Sequence, residues 1–128
     1  MSAPAFAPTW VICLCAQWCG TCREYQPLFA QLAAQMSAPM ARDRPGVRFA
    51  WVDIEDHADL ADPFDVETFP TLLIASAAGT HFLGPLLPRI ETLTRLLATP
   101  QAARAPTQAE RELMAALEAQ PQVFVVPD

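Results

Sequence analysis

The stretch AQWCGTCREYQP, residues 16–27, sets two cysteines three positions apart, directly behind a tryptophan. What lies on either side decides how it folds. Before it, TWVICLC at residues 9–15 is a short apolar run, partly β-branched, which predicts a buried strand. After it, Tyr25, Phe29, Leu32 and Met36 recur at spacings of four, three and four, the mark of one helix face. The helix is predicted over about residues 20–37, with Pro27 removing one backbone donor and kinking it. The cysteine pair therefore stands at a strand-to-helix junction.

The remaining chain continues this alternation. SAPMARDRPG reads as a loop, and VRFAWVDI, residues 47–54, as a second strand through Val47, Phe49 and Trp51. The acidic connection DIEDHADLADPFDVE has room for one short helix, interrupted by Pro63. TLLIAS, residues 71–76, is predicted as a third strand, with Ala78-Gly79 turning into a fourth at THFLG. Residues 89–98 carry Ile90, Leu93, Leu96 and Leu97 at helical spacing. Beyond a Pro/Ala linker, Thr107 with Glu110 fits a capping box that opens a helix over residues 108–119, its apolar face made of Leu113, Met114 and Leu117. We therefore expect a domain over residues 1–98, with residues 99–128 adding a linker, an extra helix and an apolar tail packed on that same domain.

Composition excludes several classes. The 128 residues suffice for one domain, and 52% hydrophobic against 17% charged residues supports a real core. The net charge is −6 and lysine is absent, so a basic patch for nucleic acid or an anionic membrane surface is not expected. No stretch approaches the roughly 18 apolar residues of a membrane span. The first residues lack a charged segment, and their apolar run is cut by Pro4 and Pro8; a signal peptide is not expected, and the cytoplasm is the expected compartment.

The four cysteines all fall between residues 13 and 22, which points to a local site rather than a stapled framework. A thiol attacks only as the thiolate, and a helix N-terminus favours negative charge. Cys19 stands where the helix begins and Cys22 lies one turn on, with Gly20 expected to let the backbone turn tightly between them. Two other readings stay open at this point. The pair is core, or all four thiols hold a metal as C-x-C-x3-C-x2-C. Cys13 and Cys15 lie within a strand and are expected to be small core residues; in a sharper version Cys13 lies beneath Cys22 and exchanges with it. His57 and His81 are isolated in sequence and are not expected to ligate.

WCGTC, followed by Arg23 and by Pro27 five residues after the second cysteine, resembles the thioredoxin family, whose usual form is W-C-G-P-C-[KR] with the same helix proline. VETFPTLLI, residues 66–74, adds the second mark, because Pro70 matches the family's cis-proline before Thr-Leu. Gly84 matches a glycine near the end of the family's last strand. The resemblance covers residues 9–98. It implies an α/β thioredoxin-like fold, a mixed sheet of about four strands flanked by helices. The family's first strand and helix are missing, and a C-terminal helical extension is added. It implies a thiol–disulfide oxidoreductase without metal or cofactor. Cys19 attacks a partner disulfide, and Cys22 then displaces the reduced partner, leaving a Cys19–Cys22 bridge. Trp18, Gly20, Thr21, Phe69 and Pro70 form the substrate-binding surface, the backbone of Phe69 pairing with the partner chain. The partners implied are proteins containing disulfides and an upstream reductant.

The sequence departs from that pattern in places. Thr21 stands where the family has proline, and the family's buried carboxylate and its lysine correspond to Cys13 and Trp51. No general base for Cys22 is thus evident. A thioredoxin-fold module that binds without catalysis is the competing class. The run from Asp53 to Glu67 holds seven carboxylates, read either as a solvated face or as an edge selecting basic partners. VFVV, residues 123–126, is predicted either to pair along the open edge beside residues 47–53, in its own chain or swapped into a neighbour as an oligomer, or to pack loosely on the core or stay disordered.

Overall fold

The computed structural model describes residues 9–36, 47–99 and 102–126. The predicted loop at residues 37–46 and Pro127 lie outside them. Strand β1 (Thr9–Cys15) leads into helix α1 (Gly20–Met36), then β2 (Val47–Asp53) and the short helix α2 (Ala58–Ala61). A 3₁₀ turn at Asp62–Phe64 follows, carrying Pro63 where it needs no donor. Then come β3 (Thr71–Ser76), β4 (Gly79–Pro85), α3 (Ile90–Ala98), α4 (Gln108–Ala119) and a second 3₁₀ turn at Pro121–Phe124.

The sheet runs in the order β2-β1-β3-β4. β1 is parallel to β2, while β3 is antiparallel to both β1 and β4. This is a four-stranded mixed sheet flanked by helices, the thioredoxin-like architecture. β1 is central, and its alternation divides the core. Val11, Cys13 and Cys15 pack with Tyr25, Phe29 and Leu32 of α1 and Leu93 of α3. Trp10, Ile12 and Leu14 face the other way, toward Leu113 and Leu117 of α4 and Phe124. Helix α1 continues through Pro27.

The segment after α3 is tied down at three points. The capping box at Thr107 and Glu110 forms as expected. Glu110, 1% exposed, accepts from Thr80 Oγ1 at 2.7 Å and from both terminal nitrogens of Arg104, at 3.0 and 2.7 Å. Thr80 and Arg104 also exchange backbone hydrogen bonds of 2.8 and 2.9 Å. Gly79 sits at φ +132°, and a Cβ there would collide with the Arg104 carbonyl. At the far end of α4, Glu118 accepts from Trp10 Nε1 at 2.8 Å and from Arg48 at 2.7 Å, while Arg48 also lies over the Trp10 ring.

VFVV does not form the predicted strand. Pro121–Phe124 is a 3₁₀ turn, and only Val125 takes an extended conformation after it. The physical reason is Phe124, whose ring is buried among Trp10, Ile12 and Leu113. The segment meets β2 through that packing, and no strand pairs with the outer edge of β2 among the described residues.

Candidate functional site

β1 ends at Cys15 and α1 begins at Gly20, so four residues form the site loop. The Cys19 N–H donates to Ala16 O at 3.0 Å, and the Cys19 carbonyl accepts the first bond of α1 from Arg23 at 3.1 Å. Cys19 is thus the residue on which the helix opens. Asp53, at the end of β2, holds this loop: its Oδ2 accepts from the Gln17 N–H at 2.9 Å. Its Oδ1 accepts from the N–H groups of Glu55 and Asp56, at 2.9 and 3.2 Å, and so shapes the next turn as well. Arg23 closes the loop from the helix side, donating to Gln17 O at 3.0 Å. Asp53 counted in the sequence only as one member of an acidic run. Its position at a strand end, as the first residue of D-I-E-D, the pattern of a side-chain-capped turn, was the available signal.

The thiols are arranged differently from expectation. Cys22 is disulfide-bonded to Cys15, with a Cα–Cα separation of 5.8 Å, while Cys13 and Cys19 are free thiols. The oxidised bond present is therefore not the Cys19–Cys22 bridge, and Cys15 is not merely a core residue. The alternation of β1 aims Cys15 at α1, and Cys22 lies on the buried stripe of α1 with Tyr25, Phe29 and Leu32. The two side chains meet where strand end and helix start converge. Cys19 is half-buried and packs against the same cluster, and Cys13 is fully buried within it. The Ala16 N–H donates to Cys22 Sγ at 3.2 Å, a buried contact that would also stabilise a thiolate there.

The tetrathiolate reading finds no support in this arrangement. Two of the four sulfurs are in a disulfide, and among the described residues no group of three or more His, Cys, Asp or Glu side chains is placed to hold a metal. The His57 ring lies tilted against Phe124 with centroids 4.6 Å apart, and His81 Nε2 lies 2.7 Å from Ser76 Oγ, so the two histidines serve separate local contacts.

Across from the thiols, the Phe69–Pro70 peptide is cis. Pro70 is buried, Phe69 is half-buried, and Trp18 is 58% exposed with its ring edge-on to Phe69 at 5.7 Å. The Leu86 N–H donates to Pro70 O at 3.0 Å and Thr71 Oγ1 donates to Thr68 O at 2.7 Å, which fixes the entry to β3. Thr21 is half-buried on the first turn of α1. Gly20 is exposed, and a Cβ there would meet only an Arg23 nitrogen at 3.8 Å; the tight turn expected of it is not required. Of the acidic run, Glu55, Asp56, Asp59, Asp62, Asp65 and Glu67 are exposed, and neither ion pair among the described residues draws on them.

Among the described residues no carboxylate is buried beneath the site. Cys13 pairs in register with Trp51 on one side and Leu72 on the other, and burial pushes its thiol well above its ordinary value. Tyr25 lies over it. Its phenol is pushed up by burial and then by the charge Cys13 would carry, and its buried Oη has no hydrogen-bond partner among the described residues.

The family model Thioredoxin matches residues 5–82, more than half of the chain. The chain is 35% identical over 63 residues to an H-type thioredoxin of Oryza sativa subsp. indica, covering 49% of this chain and 45% of that protein. It is 39% identical over 64 residues to thioredoxin C-3 of Corynebacterium nephridii, covering 50% and 39%. It is 39% identical over 57 residues to a protein disulfide-isomerase of Gallus gallus, covering 44% and 10%. The matches thus span less than half the length of these relatives. Among solved structures, Fasciola hepatica thioredoxin superposes with a TM-score of 0.58 at 24% identity, over 70% of this chain and 78% of that one. Mitochondrial thioredoxin 3 of Saccharomyces cerevisiae gives 0.57 at 23%, over 71% and 77%. These superpositions carry the fold.

Proposed function

The chain belongs to the thioredoxin family, and from that premise we propose that it is a thiol–disulfide oxidoreductase acting on protein disulfides through Cys19 and Cys22. The observation that carries this reading is the position of Cys19: a free, half-exposed thiol on which α1 opens, with the cysteine of the next turn buried behind it. Helix-terminal N–H groups favour a thiolate at such a place.

The reaction is two exchanges. The Cys19 thiolate attacks a partner disulfide, forming a mixed disulfide and releasing one partner thiolate. The Cys22 thiolate then attacks Cys19, forming the Cys19–Cys22 bond and releasing the second. The Ala16 N–H holds charge on Cys22 during the second step, a task that falls to it because no carboxylate among the described residues is buried nearby. Trp18, Gly20, Thr21 and Phe69 with Pro70 form the surface that receives the partner, the backbone of Phe69 pairing with it as an added strand. The partners are disulfide-containing proteins and an upstream dithiol reductant. Among the described residues no helix is long and apolar enough to cross a membrane, and a reducing cytoplasm suits a free surface thiol.

Turnover of insulin disulfides by dithiothreitol tests the reading. The chain is expected to accelerate reduction, Cys19→Ser to abolish the acceleration, and Cys22→Ser to accumulate a mixed disulfide at Cys19. A wild-type rate equal to dithiothreitol alone would sink it.

A further inference from the structure

The site holds one more sulfur than the two-cysteine reaction uses. Cys15 and Cys22 are joined while Cys19, the attacking thiol of the reading above, stays free and packs against the same cluster. Cys22 is common to both possible bonds: it is one helical turn from Cys19 and in contact with the end of β1. We infer that Cys15 is a third redox-active cysteine, and that the oxidised protein exchanges between a Cys15–Cys22 and a Cys19–Cys22 bond.

The exchange is balanced within the chain. The Cys19 thiolate attacks Cys22 Sγ; the Cys19–Cys22 bond forms, the Cys15–Cys22 bond breaks, and its electron pair leaves on Cys15. The proton given up by Cys19 is taken up at Cys15, so one disulfide and two thiols, with Cys13, exist before and after. No outside oxidant or reductant is consumed. Cys15 is fully buried, which favours the thiol over the thiolate there, so the exchange leaves Cys15 protonated beside Cys22 and the return attack requires that proton to be given up again. Cys13 faces the same cluster two residues further from the strand end that meets Cys22, is a free thiol, and takes no part.

The two isomers differ in what they present to a partner. With Cys19–Cys22 closed, the surface offers no thiol. With Cys15–Cys22 closed, the protein is equally oxidised yet still offers Cys19. In that state it captures a partner disulfide and holds it, because Cys22 is not available to release it. Cys15 thus converts a two-thiol exchanger into one with a retaining state.

A label map of the oxidised wild-type chain tests this directly. After diamide oxidation and acid quench, free thiols are blocked with N-ethylmaleimide in denaturant, disulfides are reduced, and the released thiols take iodoacetamide. Cleavage after Arg23 yields all four cysteines on one peptide for tandem mass spectrometry. Cys22 is expected to carry iodoacetamide always, Cys13 maleimide, and Cys15 and Cys19 to alternate, one of each per molecule. After oxidation their ratio is expected to relax with time, faster at pH 8 than at pH 5, with the thiol count unchanged. In oxidised Cys15→Ala, Cys19 is expected to lose its reaction with maleimide. Maleimide on Cys15 in every molecule overturns the inference. So does a Cys15–Cys22 bond whose share never changes with time at pH 8, which is a structural bridge. The map does not depend on turnover: failure of insulin reduction with an alternating map sinks the proposed activity alone, and turnover with a fixed map sinks the exchange alone.

Discussion

Cys13 on β1 and Trp51 on β2 are register partners in the layer just beneath the cysteine site, and both are buried and uncharged. Replacing Cys13 with aspartate puts a carboxylate in that layer, close to the Tyr25 phenol, which has no hydrogen-bond partner among the described residues. The release of a mixed disulfide from Cys19 is expected to accelerate, because a carboxylate accepts a proton from Cys22 where a neutral thiol does not. Burial raises the folded pKa of that aspartate above its unfolded value. The variant is therefore destabilised least below about pH 4 and progressively more as pH rises through the folded value. Urea melts of Cys13→Asp at pH 4 and pH 7 check the sign, and adding Tyr25→Phe is expected to deepen the loss at pH 7.

Asp53 gathers three backbone N–H groups, one from the loop that carries Cys19. Asp53→Ala is expected to cost about 1–2 kcal/mol, water replacing part of what is lost. Insulin turnover is expected to fall several-fold, since the approach to Cys19 is no longer held. Asp53→Asn keeps an acceptor oxygen and should recover most of both. Equal turnover in wild type and Asp53→Ala would show that the loop holds itself.

Two glycines separate space from backbone shape. Gly79→Ala places a methyl against the Arg104 carbonyl at a positive φ and is expected to lower stability by more than about 1 kcal/mol, loosening the tie between β4 and the chain ahead of α4. Gly20→Ala meets open space at the start of a helix and is expected to raise stability by up to about 1 kcal/mol. Thermal melts of the two variants should move in opposite directions.

Glu110 gives a pH signature. Burial pushes its carboxyl up, but hydrogen bonds from Arg104, the Thr107 N–H and Thr80 outweigh this and bring it from 4.5 down to about 2. A folded value below the unfolded one is stability present above pH 4.5 and lost as pH falls toward 2. The loss amounts to on the order of 3 kcal/mol. Glu110→Gln is expected to be less stable than wild type at pH 7 but flat across that acid window.

The sequence made the frame legible where a local signal and its burial agree. TWVICLC and TLLIAS are apolar runs between breakers, and both are strands with the expected ends. Thr107 and Glu110 satisfy one another within four residues, so their helix start needs no tertiary information. VFVV has the composition of a strand, but the burial of Phe124 in the core cluster that holds Trp10 and Leu113 decides its conformation, and that cluster draws on both ends of the chain. The Cys15–Cys22 bond was half visible. Period-two alternation shows that Cys15 faces α1. Which thiol it meets depends on how far the strand end overlaps the first helical turn, and spacing alone does not fix that.

The division of the core by β1 has a consequence for the order in which the protein is made. The face lined by Trp10, Ile12 and Leu14 is synthesised well ahead of its cover, which comes from Leu113, Leu117 and Phe124. A nascent chain that has completed all four strands still presents an indole and two aliphatic side chains to solvent. Nearly forty further residues must leave the ribosome before they are covered. The face bearing the cysteines, closed by α1 and α3, is finished first. The site is thus assembled on a half-covered sheet, and chaperones that bind apolar strands meet this protein on the side opposite its chemistry.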